Sequence, residues 1–435
     1  MSSGRVRTAQ SSSSSSSSDP SQSSSSSESP TSSLASAQAV LNHHWRYQRF
    51  RHHQRKAILA ALGGRDCLAI LPTGGGKSLC YQVPAMMLPG VTVVVSPLIS
   101  LMQDQVAALR SRGLPAAYVS STQRPATQRA VWEAVRAKQV KLLYVAPERL
   151  PQVPQLMRGI PVALLAVDEA HCISEWGHEF RPHYRAIGRH RHLMGSPPTM
   201  AVTATATPAT RQDIVRVLGL RRPVRVLQSF DRPTLSFEVQ RVRSDQERMQ
   251  RMEAQVRATT ETVIVYVRTR NRTDGVATRL RQCGVATLPY HAGLPGRARR
   301  ALLSRFLNGR CRVMVATSAF GMGIDKSDVR LVVHVGVPSR PETYYQEAGR
   351  AGRDGVPSRC VLLWSEGDLE LAARMSRVGQ CESGSQRQHQ AAERGLEAMR
   401  RYVRSRRCRR RMLLEYLGER LDACAGCDRC GGHAS

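Results

Sequence analysis

Lysine is scarce in this 435-residue chain: only Lys56, Lys77, Lys138, Lys141 and Lys326 stand among 64 Lys+Arg. A lysine inside a glycine run therefore goes against a strong arginine bias, and a compact ammonium suits a point contact with phosphate. Acidic residues are also few, 33, which leaves a formal charge of +31. That balance argues against an ordinary cytoplasmic enzyme of small anions and for a polyanionic partner, most simply nucleic acid; a solvated basic surface from arginine-favouring codons is the other reading. Aromatic residues make up 5%, so a broad base-stacking surface is not expected and backbone contacts should dominate binding. No apolar run approaches the ~18–20 residues needed to span a bilayer. The N-terminus carries no apolar signal core either, so the expectation is a soluble, intracellular protein that uses no membrane. The eleven cysteines are odd in number and mostly scattered through apolar segments, which suits a reducing compartment and not a disulfide framework.

What is present begins with Leu71-Pro72-Thr73-Gly74-Gly75-Gly76-Lys77-Ser78, between the apolar run Cys67–Ile70 and a helix start at Leu79. Glycines let backbone N–H groups curl around phosphates at a helix N-terminus. Lys77 would meet the β- and γ-phosphates of ATP and the Ser78 hydroxyl would hold Mg²⁺. Leu71 stands where the general phosphate-loop pattern has its first glycine. Upstream, Tyr47, Arg51 and Gln54 lie on a stretch that reads either as an amphipathic helix or as an adenine site, with Gln54 pairing to the base and Tyr47 stacking on it. Downstream, the strand Val162–Val167 ends in Asp168-Glu169. There Asp168 would bind Mg²⁺ and Glu169 would orient and deprotonate the attacking water.

Strands alternating with helical segments predict a parallel α/β sheet, and a second such alternation follows without a second phosphate loop. The second unit carries Arg350 and Arg353 on glycine-flexed backbone, either a basic turn or a pair able to reach a γ-phosphate. Near the C-terminus, Cys408, Cys424, Cys427 and Cys430 have the spacing of a tetrahedral Zn²⁺ site, and the same ligands suit an iron–sulfur cluster. The expected organisation is a disordered serine-rich tail at 1–40, an ATP-binding lobe at 41–225, a second lobe at 226–370 and a zinc-binding module at 371–435.

Together these motifs resemble the RecQ family of superfamily 2 DNA helicases. The resemblance runs from about Tyr47 to Cys430 and includes Ser96–Gln105, Asp168-Glu169-Ala170-His171, Thr203-Ala204-Thr205, Tyr290–Gly293, Ala319–Asp325 and Gly349–Gly355. Its family-specific piece is the aromatic-rich loop Cys172–Pro182. The resemblance implies two RecA-like parallel-sheet lobes plus a small helical zinc-binding module. It implies that Tyr47, Arg51, Gln54 and Thr73 to Ser78 bind ATP, and that Arg353 is an arginine finger with Arg350 beside it. It also assigns His171, Trp176, His178, Phe180 and Arg181 to coupling with single-stranded DNA, and the four cysteines to zinc.

Further implications are ATP, Mg²⁺ and Zn²⁺ as cofactors and 3′-to-5′ movement on single-stranded and branched or tailed duplex DNA. Roles in recombination and repair follow, in company with single-strand-binding or recombination proteins, at a chromosome in the cytoplasm, or in the nucleus of a eukaryote. Two departures stand out. His52-His53 replaces the family's usual Pro-Gly, and the chain stops at Ser435, before the winged-helix and C-terminal accessory domains of longer members. Weaker duplex grip is the expectation from the second. The alternatives are an RNA-directed motor and a DNA-annealing protein with DNA-stimulated ATPase and little unwinding.

Overall fold

In a computed structural model, residues 30–72, 74–175, 180–321, 326–378 and 386–431 are described. Two sheets, every strand pair parallel, form two RecA-like lobes. The first lobe contains β1 (Cys67–Ile70), β2 (Val91–Val95), β3 (Ala116–Val119), β4 (Leu142–Val145), β5 (Val162–Val167), β6 (Thr199–Thr203) and β7 (Val224–Leu227), in the order β3-β4-β2-β5-β6-β1-β7. The second contains β8 (Leu235–Arg241), β9 (Thr262–Val267), β10 (Thr287–Tyr290), β11 (Val313–Ala316), β12 (Val329–Val335) and β13 (Ser358–Trp364), in the order β10-β11-β9-β12-β13-β8. Central strands such as β1, β2 and β9 are buried along their whole length. They read as continuous Val/Ile/Leu runs because helices cover both faces of a parallel sheet.

The strand order decides where the motifs meet. β5, β6 and β1 are neighbours, so their carboxyl ends bring Asp168-Glu169, Thr203-Thr205 and the phosphate loop together. The registers Ile70↔Thr203 and Val167↔Ala201 set these ends level. That crevice at the carboxyl edge is where ligands of open α/β sheets bind.

Order starts earlier than the expected tail boundary. A helix covers Pro30–Trp45, and its Ala37 and Leu41 are buried against Phe50, Ile58 and Val83. Apolar residues at helical spacing, Leu34, Ala37, Val40 and Leu41, give this serine-bearing segment one face to bury.

Helices Glu366–Val378, Gln386–Arg404 and Arg409–Tyr416 build the C-terminal module. It covers the edge strand β8: Asp428 N donates to Phe237 O at 3.0 Å and Val239 N donates to Asp428 Oδ2 at 3.2 Å. An otherwise open sheet edge is thereby paired. Arg409 and Arg410, both essentially fully buried, secure the module. Arg409 pairs with Asp428 at 3.0 Å, and Arg410 reaches Asp231 Oδ1 and the Arg232 carbonyl, each at 2.7 Å. Among the described residues no helix is long and apolar enough to cross a membrane.

Candidate nucleotide site, lobe interface and metal centre

The phosphate loop leaves β1 and closes on itself through Gly75 N donating to Pro72 O at 2.8 Å. Gly74 and Gly76 hold φ 80° and 71°, in the region that favours glycine. A Cβ at Gly76 would collide with Gln54 Nε2. Lys77 Nζ lies 3.5 Å from Leu71 O, and Ser78 stands at the N-cap position of the helix Leu79–Met87 without a side-chain capping bond. Thr73 is outside the described residues.

The adenine candidates stand beside this loop. Gln54 is buried and donates through Nε2 to Gly75 O and Gly76 O, both at 3.2 Å, while Oε1 accepts from Arg51 N at 2.9 Å. Arg51 Nη1 donates to Gly74 O at 2.6 Å. The bond from Gln54 back to Arg51 N starts the helix His52–Leu62, so His52-His53 does not disturb the turn there. Tyr47 is 57% exposed. Its loop is pinned by Gln38, which donates to Gln48 O at 2.9 Å and accepts from Phe50 N at 3.3 Å. Gln38 was not singled out by the sequence, because it lies in the stretch expected to be tail.

Across the crevice, Asp168 is buried and its carboxyl is pushed up to about 7, by burial first and the adjacent Glu169 second, with Lys77 pulling the other way. Glu169 has a left-handed backbone, φ 46° and ψ 48°. This is a strained conformation for a non-glycine residue, of the kind that persists at active sites. His171 Nδ1 stands 2.8 Å from Thr203 Oγ1 and 3.3 Å from Glu169 Oε2. Thr203 Oγ1 donates to Thr205 O at 3.2 Å, and Gln346 Nε2, from the second lobe, donates to Thr205 Oγ1 at 3.0 Å. A polar chain thus runs from the acid box to the helix Pro341–Ala348 of the other lobe.

Of the aromatic-rich loop Cys172–Pro182, Phe180 is half-buried and Arg181 donates to Pro97 O at 2.9 Å, tying the loop to the end of β2. Trp176 and His178 are outside the described residues. Arg350 is buried and Arg353 half-buried in the turn after the helix Pro341–Ala348. Arg232 supports that turn from beneath, donating to Ala351 O at 3.0 Å and Gly352 O at 2.7 Å. Nothing in the sequence pattern marked Arg232, one arginine among dozens.

The sulfur atoms of Cys408, Cys424, Cys427 and Cys430 all lie within 4.8 Å of one another, and Cys427 Sγ is 3.9 Å from Cys408 Sγ. A tetrahedral Zn–S₄ centre places its sulfurs about 3.8 Å apart, so the residues fit zinc. Burial raises the Cys427 thiol, but hydrogen bonds from the backbone of Arg429, Arg409 and Cys430 and from the Cys430 side chain together bring it down to about 7. Burial pushes Cys424 up, and hydrogen bonding to Cys427 pushes Cys430 up, so in the metal-free cluster the thiolate is favoured at Cys427 and not at those two.

Three family models match in chain order: DEAD/DEAH box helicase over residues 51–214, helicase conserved C-terminal domain over 247–355, and RecQ zinc-binding over 366–431. The last spans all four cysteines of the cluster. The ATP-dependent DNA helicase RecQ of Bacillus subtilis is 43% identical over 405 residues, 91% of this chain and 67% of the relative. The Haemophilus influenzae protein of the same description is 41% identical over 398 residues, 91% of this chain and 63% of the relative. The chain therefore spans about two thirds of the length of these curated relatives.

Among solved structures, the Mycobacterium smegmatis helicase Lhr bound to ssDNA and AMP-PNP aligns with a TM-score of 0.58 at 22% identity, covering 81% of this chain and 50% of that one. The helicase MrfA bound to DNA aligns with a TM-score of 0.63 at 18% identity, covering 80% and 54%. At those identities the likeness speaks for the two-lobed fold. On the three family models in chain order and the 43% identity to a relative covered to 67%, the chain belongs to the RecQ family of superfamily 2 helicases.

Proposed function

We propose that this chain is an ATP-dependent DNA helicase that moves 3′ to 5′ on single-stranded DNA and opens duplexes in recombination and repair. The observation that carries the reading is the polar chain from Glu169 through His171, Thr203 and Thr205 to Gln346, because it joins the candidate base of one lobe to the arginine-bearing element of the other. ATP would rest with adenine against Tyr47 and Gln54 and its phosphates on the backbone of Gly74 to Gly76, with Lys77 at the β- and γ-phosphates. Ser78 and Asp168 would hold Mg²⁺, which neutralises phosphate charge and orients the leaving group.

Glu169, steadied by His171, takes the proton of the attacking water, and Arg353 with Arg350 meets the charge that develops on the transferring phosphoryl group. Lobe closure places those arginines, and release after hydrolysis reopens the cleft. Alternate gripping of the DNA backbone by two lobes turns this cycle into steps. Arg181, anchored to Pro97 O, and Phe180 beside it are the residues through which bound single-stranded DNA would be communicated to the acid box. The formal charge of +31 supports contact with phosphates, at a chromosome.

The test is strand displacement on 3′-tailed and 5′-tailed duplexes, with and without ATP. Unwinding from the 3′ tail alone, only with ATP, is expected. Unwinding from the 5′ tail alone would overturn the polarity. DNA-stimulated ATP hydrolysis with no displacement from either tail would establish the annealing alternative instead.

A further inference from the structure

Beneath the arginine turn lies a buried polar cluster that the roles above do not use. His334, on β12, is 1% exposed, and its Nε2 stands 3.0 Å from Glu347 Oε2 on the helix Pro341–Ala348. The imidazole stacks on Tyr266 of β9, with centroids 5.2 Å apart and planes 19° apart, and meets Tyr344 edge-on at 4.9 Å. The Tyr266 hydroxyl donates to Phe320 O at 2.7 Å, and the Arg350 guanidinium is hydrogen-bonded to the same phenol. Arg350 N in turn donates to Glu347 O at 3.3 Å. His334, Tyr266 and Glu347 also line a cavity of 130 Å³, shared with Ser318, Ser339 and Thr343.

Two features make this cluster more than ordinary packing. The helix is held elsewhere by its tyrosines: Tyr344 lies against Phe237 and Tyr402, and Tyr345 donates its hydroxyl to Phe230 O. At its carboxyl end, which leads into Arg350 and Arg353, part of the inner face looks onto the cavity, and there the Glu347–His334 pair spans from helix to sheet. A buried polar pair contributes little net stability compared with apolar packing of the same volume, but its hydrogen bond fixes one geometry. Its position is where geometry matters most, since an ångström of misplacement at a reacting centre costs about 10²-fold in rate.

We propose that Glu347, seated by His334 and linked through Tyr266 to Arg350, is a positioning residue for the arginine turn, setting where its guanidinium groups stand when the lobes close on ATP. The inference rests on the reading of Arg350 and Arg353 as the groups that meet the γ-phosphate. It adds that their placement comes from this cluster within the second lobe.

The experiment uses the full chain, saturated with single-stranded DNA, and measures kcat and KM for ATP, affinity for a fluorescent non-hydrolysable ATP analogue, and melting temperature. Glu347→Ala and His334→Ala are expected to lower kcat by about 10- to 10²-fold, leaving KM and analogue affinity within about twofold. Glu347→Gln, which keeps an oxygen for His334, is expected to recover most of the rate. Tyr266→Phe removes one hydroxyl, and its expected loss of kcat at an unchanged melting temperature keeps the test sharp if an alanine variant fails to fold. In an Arg350→Ala background, Glu347→Ala should cost little more, as for residues acting as a unit.

The inference is overturned if Arg350→Ala is impaired while Glu347→Ala and Tyr266→Phe turn over like wild type, or if the Glu347 and Arg350 losses multiply. Full turnover by both Arg350→Ala and Arg353→Ala would instead remove the underlying reading, and the inference with it.

Discussion

Asp66→Ala offers a quantitative check on how the first lobe is held. Asp66 and Arg191 are both about 5% exposed, and the guanidinium Nη2 lies 2.7 and 2.9 Å from the two carboxylate oxygens. The carboxylate also accepts from Thr199 N at 2.8 Å and Arg221 N at 2.6 Å, at the start of β6 and just before β7. One side chain thus ties together the ends of three adjacent strands. Removing it leaves a buried cation without its partner, which costs about 3–5 kcal/mol, and strands two backbone N–H groups at about 1 kcal/mol each.

Arg191 keeps its bonds to the carbonyls of Pro197, Leu218 and Gly219, so a net loss of about 4 kcal/mol is a fair expectation. For a unit of this size that lowers the melting temperature by roughly 8–16 °C. Calorimetry on the full chain should place the loss in the transition that includes the first lobe. Asp66→Asn should lose about half as much. Asp66 lies at the opposite end of β1 from the phosphate loop, so ATP turnover well below the melting point should stay near wild type. A fall of less than about 3 °C would refute the view that this pair holds the strand ends.

Asp168→Asn should uncover a cost built into the acid box. The folded carboxyl sits near 7, above its ordinary 3.8, so its contribution to stability is whole below about pH 4 and is lost as pH rises through 7. Magnesium- and nucleotide-free wild type should therefore lose more stability between pH 4 and pH 7 than the variant does, while ATPase falls at least about 10²-fold; parallel pH profiles would contradict the assignment. In the phosphate loop, Gly76→Ala should weaken ATP-analogue binding at least about tenfold, because strain at positive φ adds to displacement of Gln54. Gly74→Ala, with nothing within 4 Å of the new Cβ, should cost less, and the reverse ranking would disprove the packing argument. Stripping zinc should release the Asp428 clip on β8 and make the segment from residue 386 onward sensitive to trypsin; unchanged digestion would show that Arg409 and Arg410 hold the module without metal.

Central strands were legible in the amino-acid order because burial on both faces writes an unbroken apolar run, as in β2, β5 and β9. The strands not anticipated, β3, β7 and β8, are all at sheet edges; in β7 and β8 partial exposure mixes polar residues into the run, and β3 is only four residues long with two alanines. Local chemistry was equally readable: a lysine among glycines, two acids after a strand, four cysteines at metal spacing. Each depends on residues close together in the chain.

The cross-links were not readable. Gln38 pinning the Tyr47 loop, Arg232 beneath the arginine turn, Gln346 on Thr205 and His334 beneath Glu347 join residues 10 to 141 positions apart. The side chains that carry them, glutamine, arginine and histidine, are types whose presence alone predicts nothing. The order of residues was enough to propose which groups the chemistry would use. Only folding decided which groups hold them in place, because a hydrogen bond between distant segments depends on strand order and register, and neither leaves a mark in the neighbouring sequence.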